Sequence, residues 1–125
     1  MNNKIYTDKA PAAIGPYSQA VQAGNILYIS GMIPVDPATN TMAGPTIVEQ
    51  ASQIMRNIDA VLKEAGYTVD DVVKTTCFLA DMNDFAKFNE VYADFFTSKP
   101  ARSCVAVKQL PKGALAEVET LAIKA

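Results

Sequence analysis

The segment from Thr46 to Gly66 limits what this chain can fold into more than any other. Thr46-Ile47-Val48-Glu49 reads as a capping box, in which the threonine side chain accepts the third helical N–H and the glutamate reaches back to the cap. Ile47, Ala51, Ile54, Met55, Ile58, Leu62 and Ala65 then recur at helical spacing, and Gly66 supplies the C-cap. A long helix with one apolar stripe needs a flat apolar partner, so the flanking sequence must build a sheet. Nothing on this helix asks for a role beyond packing.

The flanks read accordingly. Lys4–Thr7 is a short first strand, stopped by the Asp8-Lys9-Ala10-Pro11 turn. Gln19–Ala23 and Ile26–Ser30 surround Gly24-Asn25, a connection that closes a hairpin, and Val35–Pro45 is a turn-rich link to the helix. Asp71–Leu79 is β-branched and reads as an interior strand, with Cys77 as a small core residue. Asp81-Met82-Asn83-Asp84 starts a second helix whose one side carries Phe85, Phe88, Tyr92, Phe95 and Phe96. Asn89 lies beside that stripe, either solvated or reaching a neighbouring surface. After Thr97–Pro100, Ala101–Val107 and Ala114–Ile123 are two further strands, and the short turn between them predicts an antiparallel pair. The expected fold is α+β, one domain over residues 1–125, with two helices on one face of a mostly antiparallel or mixed six-stranded sheet. Several strands are apolar on both sides and nothing remains to cover the second face, which predicts a symmetric oligomer with sheet faces meeting.

Pro100-Ala101-Arg102-Ser103-Cys104-Val105 is the chemically richest stretch. At the start of what reads as a buried strand, alternation points Arg102 and Cys104 the same way. A guanidinium among apolar neighbours needs a partner: an internal carboxylate, or the carboxylate or phosphate of a ligand. On the last strand Glu117 and Glu119 interrupt the apolar row of Leu115, Leu121 and Ile123, so pairing of the two strands brings them towards Arg102 and Cys104. There they form an ion pair or position a water. Tyr17, after the Gly15-Pro16 break, is an aromatic plug or a presented ring; Gly31, after Ser30, is a bulge or a point of close backbone approach.

Eleven basic and thirteen acidic residues leave a net charge of -2, so no overall field favours nucleic acid or an anionic membrane. The absence of histidine excludes Ser-His and Cys-His nucleophilic systems and imidazole metal sites within one chain. Cys77 and Cys104 lack metal-ligand spacing and read as reduced thiols. Met1–Tyr6 has no signal-peptide core and no run has the length of a membrane span, which predicts a cytoplasmic protein.

In order and spacing, the motifs Ala12-Ala13-Ile14-Gly15-Pro16-Tyr17-Ser18-Gln19-Ala20, Ser30-Gly31-Met32-Ile33-Pro34, Asn57-Ile58, Leu62–Gly66, Val73–Thr76, Asp81–Phe85, Pro100–Val105, Leu110–Gly113 and Glu117–Glu119 mark a known pattern. The chain resembles the reactive-intermediate deaminase (Rid) family of enamine/imine deaminases over nearly its whole length. The resemblance implies a chorismate-mutase-like fold and a homotrimer with a central barrel and three clefts between subunits. It implies hydrolysis of 2-aminoacrylate, 2-iminopropanoate and 2-iminobutanoate, products of pyridoxal-phosphate-dependent dehydratases, to 2-oxo acids and ammonia, without cofactor or metal. By the same resemblance Arg102 holds the substrate carboxylate, Glu117 orients water and Cys104 lines the pocket, while Tyr17, Ser30, Gly31 and Asn89 take further pocket positions. Thr97–Pro100 is shorter than the matching loop of some members, which changes the cleft rim. Two other readings accompany this one: a non-enzymatic trimer that binds small carboxylates and regulates a partner, and a translation inhibitor or single-strand endoribonuclease.

Overall fold

The computed structural model describes residues Met1–Ala125. Helix α1 runs over Ile47–Glu64. Thr46 Oγ1 accepts the Glu49 N–H at 3.2 Å, but the Glu49 carboxylate accepts from the Thr46 hydroxyl at 2.8 Å rather than from its backbone, so only half of the expected box forms. At the other end Gly66, with φ at 79°, lets its own N–H reach Lys63 O at 3.1 Å and the Tyr67 N–H reach Leu62 O at 2.8 Å. This closes the last turn in a left-handed conformation that suits glycine. The apolar stripe is buried as its spacing predicts, with Ala65 half-buried at its margin.

The partner is a six-stranded sheet. Its strands are β1 (Asn3–Ile5), β2 (Ala20–Ala23), β3 (Ile26–Met32), β6 (Val72–Leu79), β7 (Ala101–Ala106) and β8 (Ala116–Ile123). The order is β1-β2-β3-β8-β6-β7, antiparallel except for the parallel β6/β7 pair. Between them α2 (Phe85–Phe95) forms the crossover that a parallel pair requires. A separate two-stranded pair, β4 (Val35–Asp36) with β5 (Thr41–Met42), lies in the segment read from sequence as turns. The first strand sits one to two residues earlier than its sequence expectation.

One expectation about the sheet is overturned. β7 and β8 are not an antiparallel pair; β6 lies between them. The short connection, which includes a 3-10 turn at Pro111–Gly113, carries the chain past β6 instead of folding it back. Burial explains the choice: Ala116, Val118, Thr120 and Ala122 are all fully buried, which demands the central slot between β3 and β6, in contact with α1. β7 is therefore an edge strand, not a buried one; Ser103 and Val105 are exposed, and Arg102 and Cys104 half-buried.

Both helices cover the same face, and the other face is bare, as the strand patterning predicts. Register places Val21, Tyr28, Phe78, Val105, Leu121 and Glu117 on it. Tyr28 and Val105 are close to half exposed despite their size.

A polar row on α1 escaped the sequence reading. Asn57, with no exposed surface, donates from Nδ2 to Ile33 O at 3.2 Å and Val35 O at 2.9 Å, and accepts from Gln53 Nε2 at 2.8 Å. Gln50 donates to Gly44 O at 2.8 Å and accepts the Leu115 N–H at 2.8 Å. These amides fasten the segment after β3 and the start of β8 to the helix. Asn57→Ala removes the side-chain donor from Val35 O and from Ile33 O, the latter keeping the Val35 N–H at 2.9 Å, and strips the buried Gln53 amide of its acceptor, so a loss of about 3 kcal/mol follows. In thermal melts followed by circular dichroism the midpoint should fall by roughly 10 °C.

Candidate active site

The sequence-predicted groups assemble into two clusters, not one. The first surrounds Arg102. Phe85, Asn89 and Tyr92 project from one side of α2, spaced four and three residues apart. Arg102 Nη1 donates to Asn89 Oδ1 at 2.6 Å, and its Cζ lies 4.8 Å from the Tyr92 ring centroid and 5.5 Å from that of Phe85. Asn89 is thus neither solvated nor idle. No carboxylate of the chain pairs with Arg102, since the one ion pair present is Lys63–Asp59. The groove beside it is walled by Tyr92, Phe96, Lys99 and Pro100.

Cys104 points to the same side and stands opposite Cys77 across the β6/β7 register. Burial pushes the Cys104 thiol above its ordinary pKa, with Arg102 acting against the shift; burial pushes Cys77 up to about 12. Both are thiols at neutral pH, which suits walls and not nucleophiles.

The second cluster surrounds Glu117. The β3/β8 register slips between Ile29 and Met32, so Ser30-Gly31 forms a bulge. At Gly31 the Glu117 carboxylate lies so near that a Cβ placed there would stand 2.0 Å from Oε2. Gly31 is therefore a bulge approached closely by a side chain of the same protein. Ser30 is fixed by its N–H to Gln19 O at 3.0 Å and its hydroxyl to Ser18 O at 2.6 Å. Tyr17 is 55% exposed and is no plug over the core of this chain. With Ser30, Gly31 and Ile33 it lines a cavity of about 350 Å³.

Gln19, which sequence reading passed over, builds one wall of that cavity. Its side chain is buried, accepts the Thr7 N–H at 2.7 Å, and donates to Thr7 O at 3.0 Å and Pro11 O at 2.8 Å. Its one visible signal was a glutamine at the start of an apolar strand. The Glu117 carboxyl is pushed above its ordinary pKa, first by burial and then by the negative charge of Glu119.

Arg102 and Glu117 do not meet within the chain. Arg102 shares its face with Thr75, under the helices, whereas Glu117 shares the bare face with Phe78 and Val105. They also sit two strands apart, roughly 10 Å of lateral separation. The expected approach of Glu117 or Glu119 to Arg102 and Cys104 fails because it depended on a β7/β8 pair that does not form. No three acidic, thiol or imidazole side chains cluster as metal ligands, and no helix is long and apolar enough to cross a membrane.

The fold and these clusters define a small α+β protein in which one sheet carries a seated arginine on its covered face and a desolvated carboxylate on its bare one. More particularly, the chain belongs to the family described as endoribonuclease L-PSP, whose sequence model matches residues 7–124. It is 53% identical to a RutC family protein of Pyrococcus horikoshii over 125 residues, 99% of each chain. It is 48% identical to a mouse protein named 2-iminobutanoate/2-iminopropanoate deaminase over 121 residues, 96% of this chain and 90% of the mouse one. Among solved structures, a Rid family protein of unknown function from Yersinia pestis superposes with a TM-score of 0.96 at 48% identity, covering 99% of this chain and 100% of that one. Escherichia coli TdcF, solved with bound serine, superposes with a TM-score of 0.94 at 42% identity, covering 98% and 99%. The family thus includes a protein named as an imine deaminase.

Proposed function

We propose that this protein is a cofactor-independent hydrolase of 2-aminoacrylate, 2-iminopropanoate and 2-iminobutanoate, yielding 2-oxo acids and ammonia. The observation that carries this reading is Arg102: a guanidinium seated on aromatic rings, one N–H given to Asn89, and no carboxylate of its own chain to pair with. Its remaining donors suit the two oxygens of a ligand carboxylate. The named activity of the mouse relative points to the same class of substrate.

The single domain of residues 1–125 works as a homotrimer whose bare sheet faces line a central barrel. Each cleft joins Arg102, Cys104 and Asn89 of one copy to Tyr17, Ser30, Gly31 and Glu117 of the next, and so unites what one chain holds apart. The protein acts in the cytoplasm, downstream of pyridoxal-phosphate-dependent dehydratases that release the enamines. Light scattering should return three times the 13.4 kDa chain mass; a monomer at working concentration would overturn the shared site.

The chemistry asks little of the protein. Once the enamine has tautomerised, the imine carbon is electrophilic and Arg102 fixes the acid end. The Glu117 carboxylate takes a proton from water as the oxygen adds to that carbon and the C=N π pair moves onto nitrogen, to which Glu117 returns the proton. The carbinolamine then passes its hydroxyl proton to nitrogen through the same carboxylate and the C–N bond breaks, leaving the 2-oxo acid and ammonia. No step needs histidine or a nucleophilic thiol.

A direct test generates 2-aminoacrylate with a serine dehydratase and follows imine loss with wild type and Glu117→Gln. Wild type should accelerate the loss, and the variant should lose about 100-fold in kcat/KM. Wild-type activity should rise with pH as Glu117 ionises, at a midpoint above the ordinary carboxylate value because burial raises it, and the variant should lack that limb. Stability carries the same sign. With its folded-state pKa raised, ionised Glu117 costs stability at neutral pH, and that cost vanishes as pH falls through the folded value, completely below the ordinary 4.5. Glu117→Gln should therefore be the more stable protein at neutral pH by chemical denaturation, with the gap closing in acid.

Binding of 2-oxobutanoate at Arg102 with no acceleration of imine loss would favour the regulatory reading. The ribonuclease reading carried by the family description draws no support from a net charge of -2 or from a chain without histidine.

A further inference from the structure

We propose that Tyr92, locked by Thr75, is a positioning residue that aims the Arg102 guanidinium, so that the site's preference for a carboxylate is set from within the layer between α2 and the sheet. The inference rests on the reading of Arg102 as the carboxylate anchor. Arginine in solution is a flexible side chain, and a bidentate fork is selective only when its plane is fixed. Asn89 fixes one edge, at 2.6 Å from Nη1. A single hydrogen bond leaves rotation about that contact free. The Tyr92 ring supplies the missing constraint, with Cζ 4.8 Å from its centroid, within the range of cation–π attraction.

Tyr92 is itself held. Its hydroxyl lies 2.6 Å from Thr75 Oγ1, and Thr75 is almost wholly buried directly across the β6/β7 register from Arg102. The strand that neighbours the arginine thus fixes the ring that supports it. Thr120, opposite Thr75 on β8, has a buried hydroxyl with no partner, so the Thr75 hydroxyl is not shared across the sheet; besides Tyr92 it meets only the Cys77 thiol of its own strand, at 3.9 Å. The ring also packs against Phe96, 4.6 Å between centroids, which leaves Tyr92 little room to tilt. Burial raises the phenol pKa and keeps it neutral, and Arg102 is the charged group that faces it.

Thr75→Val keeps the volume and removes the hydroxyl; Thr75→Ser restores it. Tyr92→Phe keeps the ring and removes the lock. Titration calorimetry with 2-oxobutanoate and its amide, together with imine kinetics, reads the effect. Thr75→Val and Tyr92→Phe should each weaken 2-oxobutanoate binding and raise KM by about fivefold with kcat nearly unchanged, consistent with a loosened cation–π seat. Binding of the amide, which makes no ion pair, should hardly change, so the carboxylate-to-amide preference shrinks. Thr75→Ser should recover it. An NMR signature independent of activity goes with this: the Arg102 Nε–H, shielded by the ring in wild type, should shift towards its free position in Thr75→Val. Folded variants with undiminished carboxylate preference and an unshifted Arg102 signal would overturn the inference. Failure of wild type and Arg102→Ala to differ in 2-oxobutanoate binding would instead overturn the anchor reading, and the NMR shift would still decide whether Tyr92 aims the arginine.

Discussion

Arg102→Ala should lower kcat/KM for 2-aminoacrylate by about a thousandfold, and Arg102→Lys by about a hundredfold, because the lysine keeps the charge but loses the planar fork. Neither change should cost much stability. The side chain is half-buried and makes one hydrogen bond, to Asn89, and no ion pair within the chain. The measurement is imine loss at matched folded protein, with the melting midpoint recorded alongside. A lysine variant with wild-type kcat/KM would show that a point charge suffices and that the seat on Tyr92 and Phe85 has no part in catalysis.

The second large effect is expected at Gly31. Its φ lies outside the left-handed region, so alanine fits the backbone, and the obstacle is the Glu117 carboxylate, 2.0 Å at Oε2 and 2.9 Å at Cδ from the added methyl. The far end of a flexible side chain gives way before the sheet does. Gly31→Ala should therefore fold, displace Glu117 and reduce kcat/KM by about 100-fold, as loss of a general base does. The double variant Gly31→Ala/Glu117→Gln should be little worse than either single one, because both remove the same carboxylate from the same place. Additive losses would mean that Gly31 acts through something other than Glu117.

Much of this was legible in the residues. The α1 stripe, the hairpin at Gly24-Asn25, the aromatic side of α2 and the bare second sheet face follow from periodicity and turn chemistry, which are local. The same locality made Arg102 and Glu117 visible as polar interruptions in apolar strands. Their relation was not legible. It depended on which strands neighbour one another, and a short β7–β8 connection favours a hairpin only while β8 has no better place to go.

The buried amides Gln19, Gln50 and Asn57 were hidden for a related reason. A glutamine on a helix or strand gives no sign of the distant carbonyl it will meet. Tyr92 was read as core from its spacing, and it is core; that one face of its ring also supports Arg102 appears only once β7 lies beside β6.

Sequence by itself determined the two helices and the six strands of the main sheet, though not the small β4/β5 pair, together with the two-layer α+β arrangement, the exclusion of histidine chemistry, and the residue types available to a site. The tertiary structure decided that β8 takes the middle of the sheet, driven by burial of Ala116, Val118, Thr120 and Ala122, and that β7 is left at the edge. That placement puts Arg102 and Glu117 on opposite faces, because side chains alternate along a strand while neighbouring strands share their faces in register.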